Sequence, residues 1–324
     1  MPRKTMPIDP RTSSPSIDGP IDFIGDVHGY ADRLEQLLKK LGYEKRDGCH
    51  QHPERIVVFL GDYIDRGPEI RRTLQIVRDM VNGGSAIALM GNHEYNALAW
   101  FTPRPGFDGM ACRRHTPTRL EAFSATLKAL DQDMDEWLEW FRDRPLWIDA
   151  PRFRAVHASW DQSSCNLIGK GLQNAGNRFD TSLVLASSVP GSETYQAIEL
   201  LLKGREIDLP PGFTIDDHQG HARHRTRVRW FERPNGRGYH EYTLGAGRGL
   251  PLDPVPESLV EHIEPYSPDA PPVFFGHYWM EGGTPAPLAS NVACLDWSVT
   301  AGGPLVAYRY DGESPLEAEH FVLA

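Results

Sequence analysis

Three short segments concentrate side chains able to bind metal and move protons. They are Gly25-Asp26-Val27-His28-Gly29, Gly61-Asp62-Tyr63-Ile64-Asp65-Arg66-Gly67 and Gly91-Asn92-His93-Glu94. Two later stretches add imidazoles: Ala155-Val156-His157-Ala158 and Phe274-Phe275-Gly276-His277. Oxygen donors mixed with imidazole suit first-row divalent ions such as Mn, Fe or Zn, and a single carboxylate can bridge two ions. A pair of ions roughly 3.5–4 Å apart clamps both the attacking and the leaving oxygen of an in-line displacement.

The surrounding pattern says how these segments are brought together. Each of the first three follows a short run that reads as a strand, at 21–24, 56–60 and 86–90, the second of them continuously apolar as suits a strand buried on both faces. Between the runs lie two helical patterns. One covers 31–41, with Leu34, Leu37, Leu38 and Leu41 on one face, and Gly42 stands where a C-cap glycine belongs. The other opens at Pro68, carries Ile70, Leu74, Val77 and Val81, and ends at Gly83-Gly84. Strands alternating with helices over short connections imply parallel strands with right-handed crossovers. Such strands end on one edge of the sheet, where ligands bind, and the glycines let the chain turn sharply there.

Further along, the rhythm changes. Residues 118–143 read as helical, with Leu120, Phe123, Leu127 and Leu130 on one stripe and Trp137, Leu138, Trp140 and Phe141 in a second apolar cluster. A strand is expected at 153–156, a helix at 193–203, and a strand or flap at 218–230. Strands return at 273–275, 292–295, 305–310 and 320–323. Residues 160–270 are the least readable part. Residues 1–20, rich in Pro, Ser and Asp, read as a flexible tail. If 218–230 is a strand, Arg223, Arg225, Arg227 and Arg229 share one face, toward either solvent or an anion.

The segments GDVHG, GDYIDRG and GNHE, followed by HA and GH, together resemble the calcineurin-like metallophosphoesterase superfamily. The nearest branch is that of the phosphoprotein phosphatases and symmetrical diadenosine tetraphosphatases. The resemblance is dense over 22–94 and thin through His157 and His277 to Asp296 and Gly302-Gly303. It implies an α/β fold, a four-layer β-sandwich flanked by helices, spanning 21–324 with a large insertion at about 160–270. It also implies two divalent ions per chain, Mn first, with Fe, Zn, Co or Ni also compatible.

The family roles carry over residue by residue. Asp26 and His28 resemble ligands of one ion, Asp62 the bridging carboxylate, and Asn92, His157 and His277 ligands of the other. His93 resembles the general acid, Asp65 the carboxylate that orients it, and Arg66 a phosphate-binding arginine, with Asn92 also toward the phosphate. The implied reaction is direct attack by a metal-bridging hydroxide, without a phosphoenzyme. Family phosphatases usually bring a second arginine from between the last two metal histidines, and Arg223 or Arg229 could take that part here.

Bulk properties narrow the partners. The net charge of −10 argues against nucleic acid and anionic membranes as main partners. An anionic substrate then needs local positive charge, and metal ions supply it. Cys49, Cys112, Cys165 and Cys294 are scattered, and neither a secretory leader nor a membrane-spanning run is read, so a cytoplasmic location is expected. Cys49-His50-Gln51-His52 has no matching pair for structural zinc, and Gly245-Ala246-Gly247-Arg248-Gly249 lacks dinucleotide spacing.

The substrate expected first is a phosphomonoester, with phosphoserine, phosphothreonine and phosphotyrosine proteins among the possibilities. A symmetrical diadenosine tetraphosphate hydrolase shares the site but not the rim. A metal-bound binding module without turnover is the reading from another class. The intact Asp65–His93 pair argues against that last one.

Overall fold

The computed structural model describes residues 17–216, 222–245 and 249–324. Two sheets lie face to face. The first has five strands, in the order Phe321–Leu323, Val306–Tyr310, Ile21–Ile24, Ile56–Phe59 and Ala86–Ala88. The last three run parallel, as the strand–helix alternation implies, and Val306–Tyr310 joins them antiparallel. The second sheet has the order Val292–Cys294, Val273–Phe275, Arg154–Val156 and Trp147–Asp149.

Period-two alternation sets the layers. Phe23, Val58 and Ile87 point between the sheets with Phe274, Ala155 and Tyr308. Ile24, Val57, Phe59 and Ala88 point the other way, toward the helices Ala31–Lys40 and Ile70–Asn82. Phe23 and Phe274 stack across the sandwich with centroids 3.9 Å apart. Losing such a buried ring costs about 3–5 kcal/mol. On the second sheet's outer side, Ala158 N–H donates to Leu201 O (2.9 Å) and Ser159 Oγ to Leu200 O (2.6 Å). These bonds fix helix Glu193–Lys203, which packs on helix Gln162–Asn174. The result is helices, sheet, sheet, helices: the expected four-layer sandwich.

Several elements depart from the expected pattern. The stretch 118–143 is two helices, Pro117–Leu130 and Met134–Arg142, broken at Asp131, whose φ is 42°. Leu120 is 48% exposed, and the buried stripe is Phe123, Thr126 and Leu130. Helix Asn92–Phe101 begins inside the third motif. Its residues 97–100 are all buried, so no amphipathic pattern marks it.

Inside 160–270, helices Gln162–Asn174, Thr181–Ser187 and Glu193–Lys203 each start at a side-chain cap, Asp161, Asp180 and Ser192. Strand Glu206–Asp208 then pairs antiparallel with Arg225–Arg227 over a small core that includes Ile207, Val228 and Tyr242. The flap expected at 218–230 lies partly outside the described residues. Its described part is two short strands, Ala222–Arg223 and Arg225–Arg227.

Most of the 1–20 tail also lies outside the described residues, although Ile17 at its end is buried between the sheets. Among the described residues, no helix is long and apolar enough to cross a membrane.

Candidate metal centre

The three early strands end side by side, and backbone bonds lock their following loops together. Val27 and His28 N–H both donate to Asp62 O (3.1 and 2.8 Å). Glu94, fully buried, accepts from the N–H groups of Asp62 (2.9 Å), Tyr63 (2.8 Å) and Gly91 (2.9 Å), joining the second loop to the third. Burial, with Asp62 close by, pushes its carboxyl up to about 7. The motif displayed Glu94, but sequence alone does not mark a carboxylate as a clamp on backbone N–H groups. Its place three residues after Gly91, at the helix start, is the signal that could have found it.

Close approach dictates the glycines. A Cβ on Gly61, whose φ is +107°, would stand 2.6 Å from Gly91 Cα. One on Gly276 would stand 2.0 Å from Asp26 Oδ1. His28, Asp62, Asp65, Arg66 and His277 themselves have positive φ, between 47° and 74°. Strain of this kind costs about 1–3 kcal/mol each and clusters where function requires a fixed geometry.

Asp62 is the hinge of the arrangement. Its Oδ2 lies 3.6 Å from His28 Nε2 and 3.8 Å from His93 Nε2, and its Oδ1 lies 3.4 Å from His157 Nε2. Two donor groups result, His28–Asp62–His93 and Asp62–His157–His277, each with its atoms within 4.8 Å of one another and Asp62 common to both. His28 Nδ1 donates to Ile64 O (2.9 Å) and His157 Nδ1 to Leu60 O (2.8 Å), which turns each Nε2 inward. Asn92 Oδ1 lies 3.0 Å from His157 Nε2. Asp26 accepts from His277 N–H at 3.2 Å with both oxygens. It is brought to the centre, although it belongs to neither donor group.

The electrostatics fit cations. Burial and the Asp296 charge push Asp26 well above the usual carboxylate range. Burial also raises Asp62, but the imidazoles of His157 and His93 overcome it and hold Asp62 well below. Burial and Arg66 push His28 well below its ordinary value, and burial and Arg227 do the same to His277. His277 Nε2 is buried without a hydrogen-bond partner. A neutral imidazole lone pair facing crowded buried carboxylates is a donor set suited to divalent ions.

His93 and Asp65, the two residues expected to work together, are brought into contact. His93 Nδ1 donates to Asp65 Oδ2 (2.5 Å), leaving Nε2 toward the cavity. Asp65 is held from behind by Thr126, whose hydroxyl donates to Asp65 Oδ1 and accepts from Asp65 N–H (3.0 Å). Arg66 lies 3.5 Å from His28 Nε2 and 3.4 Å from His93 Nε2, with its guanidinium 4.1 Å over the Trp279 ring. Trp279 is placed by Asp296, which accepts its N–H (2.8 Å). Neither Thr126 nor Trp279 stood out in the sequence.

A cavity of about 390 Å³ opens over Asp62, Arg66, Asn92, His93 and His277. Its far wall carries Arg223, Arg225 and Arg227. Of the two arginines expected to assist, Arg223 lines the cavity but pairs with Glu206 (2.7 Å). Arg229 turns away to Glu232 and Leu288 O. Arg227 faces the cavity, and its Nε is buried without a hydrogen-bond partner.

The calcineurin-like phosphoesterase family profile matches residues 19–278, and the chain belongs to that family of metal-dependent phosphoester hydrolases. It is similar to the symmetrical bis(5'-nucleosyl)-tetraphosphatase of Aeromonas hydrophila, 27% identical over 90% of this chain and 94% of that protein. The asymmetrical bis(5'-nucleosyl)-tetraphosphatases PrpE of Halalkalibacterium halodurans and Oceanobacillus iheyensis are 31% and 46% identical, over 47% and 46% of this chain. The chain spans 62% and 59% of their lengths. A protein serine/threonine phosphatase from Saccharomyces cerevisiae shares the fold, with a TM-score of 0.51 at 13% identity, over 95% of this chain and 80% of that one.

Proposed function

We propose that the chain hydrolyses phosphomonoesters at a centre that would hold two divalent ions, with Asp62 common to both donor groups. The observation that carries the reading is the Asp62 carboxylate, which offers one oxygen to the His28–His93 group and the other to His157. Asp26 and His28 would hold one ion, and Asn92, His157 and His277 the other. When bound, such ions supply an activated water and screen charge on the phosphoryl oxygens.

The chain's own residues do the rest. Arg66, fixed against Trp279 and flanked by two imidazoles, presents its guanidinium edge to the phosphoryl group. Arg227 meets the same group from the opposite wall. His93 Nε2 gives a proton to the departing alcohol oxygen as the P–O bond breaks, while Asp65 holds the ring by Nδ1.

The balance of charge on the far wall supports a single phosphoryl group. Arg223 and Arg225 are paired with Glu206 and Asp208, which leaves Arg227 as the wall's uncommitted cation among the described residues. A second reading, hydrolysis of dinucleoside tetraphosphates, is supported by the near full-length similarity to the Aeromonas hydrophila protein.

Turnover of an aryl phosphate and of diadenosine tetraphosphate tests both readings, using metal-stripped protein reloaded with one ion type at a time. Phosphate release from the aryl ester supports the first. Release of nucleoside diphosphate with an inert aryl ester replaces it with the second. No turnover of either with any ion overturns both.

A further inference from the structure

The helix Pro117–Leu130 has no motif and contributes no expected ligand, yet it reaches the catalytic pair. Its buried stripe is Phe123, Thr126 and Leu130, at helical spacing, and the middle member is polar and fully buried. A threonine inside a helix ordinarily turns its hydroxyl back to the carbonyl four residues earlier. Thr126 instead makes two bonds to one residue on another element, donating to Asp65 Oδ1 and accepting from Asp65 N–H (3.0 Å). The other oxygen of that carboxylate receives His93 Nδ1–H.

The helix is anchored where it needs to be. Arg71, six residues beyond Asp65, donates to Ala129 O (3.0 Å) and Leu130 O (3.1 Å) and pairs with Asp133. The C-terminal turn of Pro117–Leu130 is therefore tied to the helix that follows the Asp65 loop. Asp65 itself sits at φ +66°, a conformation that needs fixing from outside.

Resting on the hydrolase reading above, we propose that Thr126 is a positioning residue for proton donation. It fixes the rotamer and backbone of Asp65, which in turn aims His93 Nε2 at the leaving oxygen. The proton moves from Nε2 to that oxygen as the P–O bond breaks and its electron pair goes to oxygen. A substrate with a poor leaving group depends on this aim. One whose leaving group departs as a stable anion does not.

The test compares Mn-loaded full-length wild type, Thr126→Val, Thr126→Ser and Thr126→Ala on an alkyl phosphate and on para-nitrophenyl phosphate. Melting curves establish which variants are folded. Thr126→Val, which keeps a branched side chain but lacks the hydroxyl, should lose about tenfold in kcat on the alkyl ester with KM unchanged, and less than about twofold on the nitrophenyl ester. Thr126→Ser, which keeps the hydroxyl, should stay within about twofold of wild type on both. In an Asp65→Asn background, Thr126→Val should cost nothing further. Thr126→Ala carries the same expectation as Val if Val does not fold.

Equal losses on the two esters in a folded variant, or a Ser variant as impaired as Val, would overturn the inference while leaving the hydrolase reading intact. A wild type inert toward both esters overturns the monoester reading and the inference together.

Discussion

His157 Nε2 stands 3.4 Å from Asp62 Oδ1, with both side chains buried. Burial disfavours the imidazolium, but the charges of Asp62 and Asp26 outweigh it and raise His157 to about 10. In the metal-free chain a proton on His157 therefore does the neutralising that a cation would do. An ion bound by Nε2 requires the neutral ring, so metal and proton compete for one lone pair.

This competition gives a pH dependence with a definite sign. A histidine whose pKa is raised in the folded state stabilises fully below its ordinary value of 6.5 and loses that contribution as pH rises through about 10. Glu94, raised to about 7, also favours the folded state at low pH, but its contribution is gone by about pH 7. From pH 7 to 10 His157 therefore goes on losing its stabilising contribution, and the comparison with His157→Asn isolates its share. Metal-free protein should lose about 5 °C or more in Tm across it, taking about 2–4 °C per kcal/mol. His157→Asn should be flatter, and so should protein loaded with Mn. Differential scanning calorimetry with chelator and with Mn reads all three, and equal slopes would refute the protonated-histidine account.

Asp62→Asn should remove metal and activity together. The amide keeps the shape but offers one oxygen in place of two and no charge to the surrounding imidazoles. Metal analysis after gel filtration should fall from about two ions to fewer than one per chain, and kcat/KM should fall by about 10³ or more. A variant that keeps both ions and full turnover would show that Asp62 does not bridge.

How much of this was legible beforehand follows from what each residue needed. The parallel strands and their loop motifs were readable because each loop's donors follow a short strand-like run and a glycine, Gly25, Gly61 or Gly91. Thr126 and Trp279 were hidden because their roles are tertiary: one is a threonine in an apolar stripe, the other a tryptophan two residues past His277. The stripe itself was misread by including Leu120, since periodicity gives a helix a face but not its extent, and the polar member at Thr126 marked where the face meets the site. Asn92–Phe101 escaped because its residues 97–100 are all buried, which leaves no run of polar positions to mark its period. In the arginine row, alternation was the useful signal, yet it could not separate Arg227, facing the cavity, from Arg229, paired with Glu232.

Arg227→Ala and Arg223→Ala should therefore differ. Arg227 is half-buried on the cavity wall, with its Nε buried and unpartnered, so removing it costs substrate contacts without freeing a carboxylate. A charge-assisted hydrogen bond is worth about 1.5–3 kcal/mol, so kcat/KM on an aryl phosphate should fall about 10- to 100-fold. Arg223 is already paired with Glu206, and its loss should change kcat/KM by less than about threefold. Steady-state kinetics on both variants decides, and equal effects would remove the distinction.

The Arg66–Trp279 stack makes a last, independent prediction. Trp279 adopts φ +53°, which a bulky residue resists, and its N–H is held by the buried Asp296 carboxylate. Its ring lies 4.1 Å under the Arg66 guanidinium, so the face of the cation is covered and its edge is left for phosphate. Cation–π contacts contribute about 0.5–2 kcal/mol, and a loosened Arg66 should weaken ground state and transition state alike. Trp279→Ala is therefore expected to raise KM about 3- to 30-fold with little change in kcat, and Trp279→Phe to restore most of it. Inorganic phosphate inhibition should weaken in parallel in the Ala variant, because it reports the same grip without chemistry. A fall in kcat at constant KM would instead place Trp279 in the proton-transfer step.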